Sequence, residues 1–213
     1  MSSLKNIRTD YTKGELSPDD LGACPAAQLK AWISEAEQEG VKDPNAFSLS
    51  TINSTGYPTG RIVLARSIDA YGVVFYTNRK SNKGVELEND PRAGVTFFWV
   101  EMQRQVRLFG KVSLLSDEEN DSYFASRPRG SQVGAWASSQ SEEISSREEL
   151  EKKQIHFKKK FKELNVVPRP PHWGGYRISI EEIEFWQGRA SRLHDRVKYN
   201  KTSEGWKKSL LQP

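Results

Sequence analysis

The sequence predicts a mainly β protein of the α+β class, in which an antiparallel barrel or sandwich is flanked by helices. The first observation is a series of short runs rich in β-branched and aromatic residues in the first half of the chain. The second is that short turn signals at 53–56 and 69–72 join successive runs. Short connections favour antiparallel neighbours over a parallel sheet. The strands predicted in this part are 46–52, 60–68, 72–77, 94–100 and 103–115.

Helices are predicted where apolar residues recur three or four positions apart and where capping residues flank them. The first, 25–40, has Pro25 at its start and Gly40 at its end. The helix at 117–126 is capped by Ser116 and stopped by Pro128. Further helices are predicted at 81–88, from about 131, and at 148–164. After a proline-rich connector at 166–173, strands are predicted at 176–185, 192–199 and 206–211, with a hairpin turn at 200–205.

Length and composition fit one globular domain. The 213 residues are divided into a polar N-terminal arm, 1–24, which we expect to be mobile and able to cover a ligand, and a single domain, 25–213. The net charge of +4 suits an anionic small molecule or nucleic acid. The single cysteine, Cys24, excludes an internal disulfide. No apolar run approaches membrane-spanning length and no signal peptide opens the chain, so we expect a cytoplasmic protein.

The segment 184–196 holds the densest group of chemically usable side chains. Arg192, His194 and Arg196 occupy alternate positions, and in a β-strand they would share one face. Two fixed cations beside an imidazole favour its neutral form and predict an anionic ligand. The alternative is a solvated strand edge with ordinary salt bridges. The adjacent Trp186 argues against it, since it places the three groups beside a core.

Two other regions have the composition of anion sites. Arg61 and Arg66 lie at the two ends of an apolar strand, on opposite faces if the strand is regular, and a basic loop at 79–84 leads into a helix. Tyr123 and Arg127 are four positions apart on a predicted helix, and Ser131 follows. Each pattern alone is also compatible with ordinary packing. The three histidines lack partner ligands at metal-binding spacing, so no metal site is predicted.

Several of these segments together resemble the pyridoxine/pyridoxamine 5′-phosphate oxidase family. The resemblance is carried by Ile183-Glu184-Phe185-Trp186-Gln187 followed by Arg192-Leu193-His194-Asp195-Arg196. It extends over nearly the whole chain, through 10–14, 61–64, 75–78, 104–106, 123–129, 134–136 and 173–175. The resemblance implies an FMN-binding split barrel that works as a homodimer with FMN in the subunit interface. It also implies oxidation of pyridoxine or pyridoxamine 5′-phosphate to pyridoxal 5′-phosphate, with O₂ reduced to H₂O₂.

Site residues follow from the resemblance position by position. Those implied for FMN are Arg61, Ile62, Val63, Leu64, Tyr76, Thr77, Asn82, Lys83, Gln105, Gln140, Ser141, Trp186 and Arg196. Those implied for the substrate are Arg8, Tyr11, Arg66, Tyr123, Arg127 and Ser131, together with Arg192 and His194 at the reacting carbon. The chain departs from the family pattern at Arg66, where lysine is usual, and at Asn82, where arginine is usual.

Two rival hypotheses remain at this point. The first is a non-catalytic split barrel that carries or senses FMN or pyridoxal phosphate. The intact pair Arg192 and His194 argues against it. The second is a basic nucleic-acid-binding barrel, whose affinity would depend strongly on salt. It is disfavoured because the cations alternate beside Trp186 and do not follow an exposed face.

Overall fold

Residues 3–6 and 10–213 are described by a computed structural model of the chain. Within these residues one antiparallel sheet of nine strands is combined with five α-helices. The strands are β1 Ala46–Ile52, β2 Pro58–Leu64, β3 Ser67–Asp69, β4 Gly72–Asn78, β5 Arg92–Trp99, β6 Arg104–Leu114, β7 Trp173–Gln187, β8 Asp195–Thr202 and β9 Gly205–Leu210. The helices are α1 Pro25–Gln38, α2 Asn82–Asn89, α3 Asp117–Ser126, α4 Arg129–Ala137 and α5 Arg147–Lys160.

Strand β7 organises the sheet because its 15 residues pair with three different strands. One edge pairs with β6 along most of its length, and the other pairs first with β4 and then with β8. The sheet order is β2-β1-β5-β6-β7-β4-β3, with β8 and β9 added beside the end of β7. The predicted antiparallel architecture is therefore confirmed.

The core follows from the alternation of the strands. Cross-strand neighbours on the inner face form a buried row, Phe97, Val106, Phe185 and Val197. Helix α1 closes the core through Trp32, whose ring meets that of Phe185 edge to face at 5.0 Å. The residues that alternate with this row point outward, which leaves a polar outer face on β6, β7 and β8.

The predicted elements are confirmed, with four corrections. The hairpin turn predicted at 200–205 is shorter, because β8 extends to Thr202 and β9 begins at Gly205. The run predicted as 60–68 is interrupted at Ala65 and Arg66, where the backbone bonds to Asn45 and Val74 and turns into the short β3. The last helix ends at Lys160, four residues earlier than predicted. The strand predicted from Arg192 begins only at Asp195, since the preceding residues form a 3-10 turn.

A second, smaller core lies under helices α3, α4 and α5. Phe124, Val133, Phe161, Val167 and Trp173 are buried together there. The predicted cap of α3 is present, since Ser116 and Glu119 form a reciprocal capping box. No helix among the described residues is long and apolar enough to cross a membrane.

Candidate active site

A cleft of about 660 Å³ lies where β2, the end of β4, α2 and α4 meet. It combines two of the regions that the sequence indicates for anion binding. The predicted site residues that line it are Arg61, Ile62, Val63, Leu64, Arg66, Tyr76, Thr77, Lys83, Arg127, Ser131 and Gln140. Although Arg61 and Arg66 were expected on opposite faces, both reach this cleft, because the strand ends before Arg66.

The charge of Arg61 is neutralised within the protein. Its guanidinium forms an ion pair of 2.9 Å with Glu86, a carboxylate on α2 that is 9% exposed. Thr51 and Thr59 also donate to Glu86. Burial raises the pKa of Glu86, but the hydrogen bonds and the charge of Arg61 more than compensate, and the net pKa is lowered. Glu86 thus remains ionised and holds Arg61 in place.

Lys83, by contrast, has no carboxylate within hydrogen-bonding distance in the part of the chain that the structure describes. Its buried ammonium group contacts neutral oxygens, those of Gln140 at 3.1 Å, Ser81 at 3.3 Å and Thr77 at 3.4 Å. Its pKa is lowered, first by burial and then by the charge of Arg61. A buried cation of this kind is stabilised when an anion enters the cleft.

The other end of the cleft holds a second incompletely paired cation. The guanidinium of Arg127 lies over the ring of Trp173 at 4.6 Å, and its buried Nη1 has no hydrogen-bond partner among the described residues. Burial lowers the pKa of Arg127, and the positive charge of Arg66 lowers it further. Ser131 lies on the same wall. Tyr123 stands behind this wall, since its ring stacks on that of Tyr76 at 4.0 Å.

A second group of predicted residues lies on the outer face of the sheet. Gln105 pairs with Trp186, and Trp186 pairs with Arg196, so the three form one row across β6, β7 and β8. Arg196 forms hydrogen bonds of 2.7 and 3.0 Å with the buried Glu184. None of these residues lines the cleft described above.

Arg192 and His194 lie beside this row, but the strand predicted for them is wrong. Ser191 and Arg192 have left-handed backbone angles, with φ of 55° and 63°, and this breaks the alternation. Arg192 is exposed, whereas the imidazole of His194 packs at 4.6 Å from Trp186. The pKa of His194 is lowered as expected, although burial is the largest cause and the charges of Arg192 and Arg196 follow it.

The imidazole of His194 is oriented by the main chain. The N–H of Arg189 donates to Nδ1 of His194 at 3.1 Å. In the neutral ring the proton therefore resides on Nε2, which is left to act as a hydrogen-bond donor. The ring of Tyr11 covers the same imidazole, with centroids 5.6 Å apart.

The remaining predicted residues lie apart from the cleft wall. Asn82 is exposed in the first turn of α2, and Ser141 follows Gln140 with φ of 75°. Neither lines the cleft. Arg8 lies outside the described residues. Sequence reasoning did not identify Glu86 or Trp173 as site residues, because their partners are distant in the chain and no local pattern marks them.

The geometry defines a class of protein, a curled antiparallel half-barrel with a cationic cleft suited to phosphorylated ligands. Among the described residues no three metal-ligating side chains cluster. The chain belongs to the pyridoxamine 5′-phosphate oxidase family. The family model described as "Pyridoxamine 5'-phosphate oxidase" matches residues 33–160, and that of the "Pyridoxine 5'-phosphate oxidase C-terminal dimerisation region" matches 173–213. The resemblance noted from the sequence is thus confirmed.

Relatives of the whole chain carry the same family name. Proteins named pyridoxine/pyridoxamine 5′-phosphate oxidase are 47% identical in Cupriavidus taiwanensis, over 100% of both chains, and 48% identical in Rubrobacter xylanophilus, over 99% of this chain and 96% of the relative. These names support an oxidoreductase. The family's dimerisation region indicates a homodimer.

Solved structures confirm the split-barrel fold. PhzG from Burkholderia lata, in complex with tetrahydrophenazine-1-carboxylic acid, is 34% identical with a TM-score of 0.86, covering 93% of this chain and 98% of its own. An FMN-binding protein from Nostoc punctiforme is 14% identical with a TM-score of 0.71, covering 91% of this chain and 100% of its own. The latter similarity concerns the fold alone. The family assignment supports the expectation that FMN is the cofactor.

Proposed function

We propose that the protein is an FMN-dependent oxidase of pyridoxine 5′-phosphate or pyridoxamine 5′-phosphate, acting in vitamin B6 metabolism in the cytoplasm. The alcohol and O₂ would give pyridoxal 5′-phosphate and H₂O₂. The amine would consume one water in addition and release ammonia. The observation that carries the proposal is the cleft, in which the ammonium group of Lys83 and Nη1 of Arg127 are buried without an anionic partner among the described residues. Two such cations suit two phosphate groups, one on the cofactor and one on the substrate.

The residues of the cleft fit the phosphate of FMN. Lys83 supplies a buried ammonium group, and the first turn of α2 has no side-chain cap on its N–H groups. Arg61 is held rigidly by Glu86, and Thr77 and Gln140 supply polar contacts. The phosphate site does not depend on Asn82, because this side chain is exposed, whereas the buried Lys83 lines the cleft. FMN, when bound, supplies the two-electron oxidation of the substrate carbon and the transfer of those electrons to O₂.

The substrate phosphate would be bound by Arg66, Arg127 and Ser131, with Tyr123 as a further donor. Arg127 is oriented by its contact with Trp173, so its Nη1 needs little reorganisation to bind an oxygen. Arg66 in place of the usual lysine keeps the charge and adds a planar pair of donors.

The outer-face residues would act on the reacting end of the substrate. His194 presents Nε2–H as a hydrogen-bond donor, because its Nδ1 is occupied. Arg192 is exposed and forms no ion pair among the described residues, so its charge is available to a ligand oxygen. Arg196 is held by Glu184 and places a cation beside Trp186. These groups would stabilise negative charge that develops during the oxidation.

We infer that a second copy of the chain completes the site. The cleft residues and the Gln105–Trp186–Arg196 row lie on different faces of one chain, so one FMN would contact the cleft of one protomer and the row of its partner. Mixing a Lys83→Met variant with an Arg192→Ala variant tests this arrangement. Mixed dimers would contain one intact site. At an FMN concentration that loads this site but not the Lys83→Met cleft, the mixture should recover about a quarter of wild-type activity. Recovery of none would contradict a shared site.

Substrate class is tested by measuring H₂O₂ release with FMN-loaded protein. Pyridoxine 5′-phosphate and pyridoxamine 5′-phosphate should be oxidised, whereas unphosphorylated pyridoxine should show a much higher KM because Arg66 and Arg127 are left without their anion. The second candidate is oxidation of a reduced tricyclic carboxylic acid, favoured by the similarity to the PhzG complex. Turnover of tetrahydrophenazine-1-carboxylic acid, with none of the B6 phosphates, would establish that candidate. Flavin binding without any turnover would leave a carrier or sensor.

A further inference from the structure

The segment 10–16 of the N-terminal arm is attached to the turn that carries His194. The N–H groups of Thr12 and Lys13 both donate to Oε1 of Gln103, at 2.7 and 3.0 Å. The N–H of Leu16 donates to Oδ2 of Asp195 at 2.9 Å, and the Leu16 side chain is buried in the main core. The segment 10–16 therefore has a defined path over the outer face of the sheet.

The side chain of Arg189 connects the arm to this turn. Its guanidinium bridges two carboxylates, that of Glu15 on the arm at 2.9 Å and that of Asp195 at the start of β8 at 3.2 Å. Since Asp195 also accepts the Leu16 N–H, the three contacts form one network. The main-chain N–H of the same arginine orients His194. Arg189 thus contacts both the segment that covers the imidazole and the imidazole itself.

The position of Tyr11 depends on this network and on a close approach at Gly188. The Tyr11 ring lies edge-on to Trp186 at 5.7 Å and to His194 at 5.6 Å. A Cβ at Gly188 would lie 2.7 Å from Tyr11 Cγ, so only glycine leaves room for the ring. The contacts of the arm therefore determine how the aromatic ring covers the imidazole.

We propose that Arg189 is a positioning residue, which fastens the segment 10–16 to the turn 188–195 and so holds Tyr11 against His194. This inference rests on the proposed function, since it assigns Arg189 a role in the same site. Glu15 is 80% exposed, so its ion pair with Arg189 alone shifts the equilibrium between the attached and the released segment 10–16 by only about two- to fivefold. Loss of Arg189 also removes a partner of Asp195, so its effect should lie at the upper end of that range.

The first test measures release of the arm without using activity. Trypsin cleavage after Lys13, followed by mass spectrometry of the purified full chain, should be about fivefold faster in Arg189→Ala. Gly188→Ala displaces the Tyr11 ring without changing a charge, and it should also accelerate cleavage after Lys13. Arg189→Lys should restore part of the protection. Arg92→Ala, which removes an exposed ion pair with Asp90 elsewhere, serves as the matched control and should cleave as wild type does.

The second test observes His194 directly. The chain has three histidines, so long-range ¹⁵N NMR can follow each ring separately. Release of the arm should expose His194 to water and raise its pKa toward 6.5, because burial is the largest cause of the lowering; Arg192, Arg196 and Asp195 remain in place. In turnover, Arg189→Ala should raise KM severalfold with little change in kcat.

Unchanged cleavage and an unchanged His194 titration in Arg189→Ala would overturn the proposal. These two readouts do not require turnover. A wild-type protein that fails to oxidise B6 phosphates would contradict the proposed function while leaving the cleavage and NMR comparisons intact. The two failures are therefore distinguishable.

Discussion

Replacement of Lys83 by methionine should weaken FMN binding by about 10- to 150-fold. Lys83 is 9% exposed, and its ammonium group contacts three neutral oxygens at 3.1 to 3.4 Å. Phosphate would replace these weak contacts with a charge-assisted hydrogen bond, which contributes about 1.5–3 kcal/mol. At about 1.4 kcal/mol for each factor of ten, this gives the stated range. Methionine has a similar volume, so the wall is retained.

The assay is a fluorescence titration of the FMN-free protein, with Lys80→Met as the control, since Lys80 is exposed. Because the pKa of Lys83 is lowered in the folded protein, the charged form of this lysine destabilises the folded state at every pH below that pKa. The destabilisation decreases above that pKa and is gone once the pH exceeds 10.5, the value from which the pKa is lowered. Without FMN, Lys83→Met should therefore melt at the same or a higher temperature near neutral pH. Equal affinities of the two variants, or a less stable FMN-free Lys83→Met, would refute the reasoning.

Four further outcomes are expected. Arg192→Ala should lose about 100-fold in kcat/KM and little FMN affinity, because in the proposed function its charge would act on the reacting substrate; equal losses of both would contradict this division. Because the pKa of His194 is lowered, its imidazole stays neutral below pH 6.5, and the acid limb of the kcat/KM profile should lie below that pH. Arg192→Gln removes one of the charges that lower this pKa and should shift the acid limb to higher pH. Arg127→Ala should raise KM at least tenfold for phosphorylated substrates and leave unphosphorylated pyridoxine unaffected, as steady-state kinetics would show. Phe185→Ala, in the fully buried row, should cost about 3–5 kcal/mol of unfolding free energy in denaturant titrations.

Much of the fold was predictable because local sequence periodicity decides it. The strand β1 and the helix α3 coincide with their predicted ranges, since alternating apolar residues and the Ser116 cap act within a few residues. The elements β2, β4 and α2, which carry many of the predicted site residues, were predicted from the same kind of local pattern. Their convergence on one cleft depends on long-range pairing of strands, which the sequence pattern does not contain.

The turn before β8 shows where the prediction fails. Arg192, His194 and Arg196 have the spacing of a strand face, and neither glycine nor asparagine marks the left-handed residues Ser191 and Arg192. The contact of Arg189 with His194 holds this turn, and no pattern of residue types reveals it. Likewise, Glu86 was not predicted as the partner of Arg61, because 25 positions separate them in the chain.

The central claim, that this chain is a flavin-dependent oxidase of phosphorylated B6 compounds, is tested most directly by an anaerobic absorbance measurement. The FMN-loaded protein is mixed with pyridoxine 5′-phosphate under nitrogen and then exposed to air. We predict that the visible flavin band bleaches under nitrogen and returns in air, with one H₂O₂ formed for each pyridoxal 5′-phosphate. A bound flavin that remains oxidised with both B6 phosphates would contradict the account.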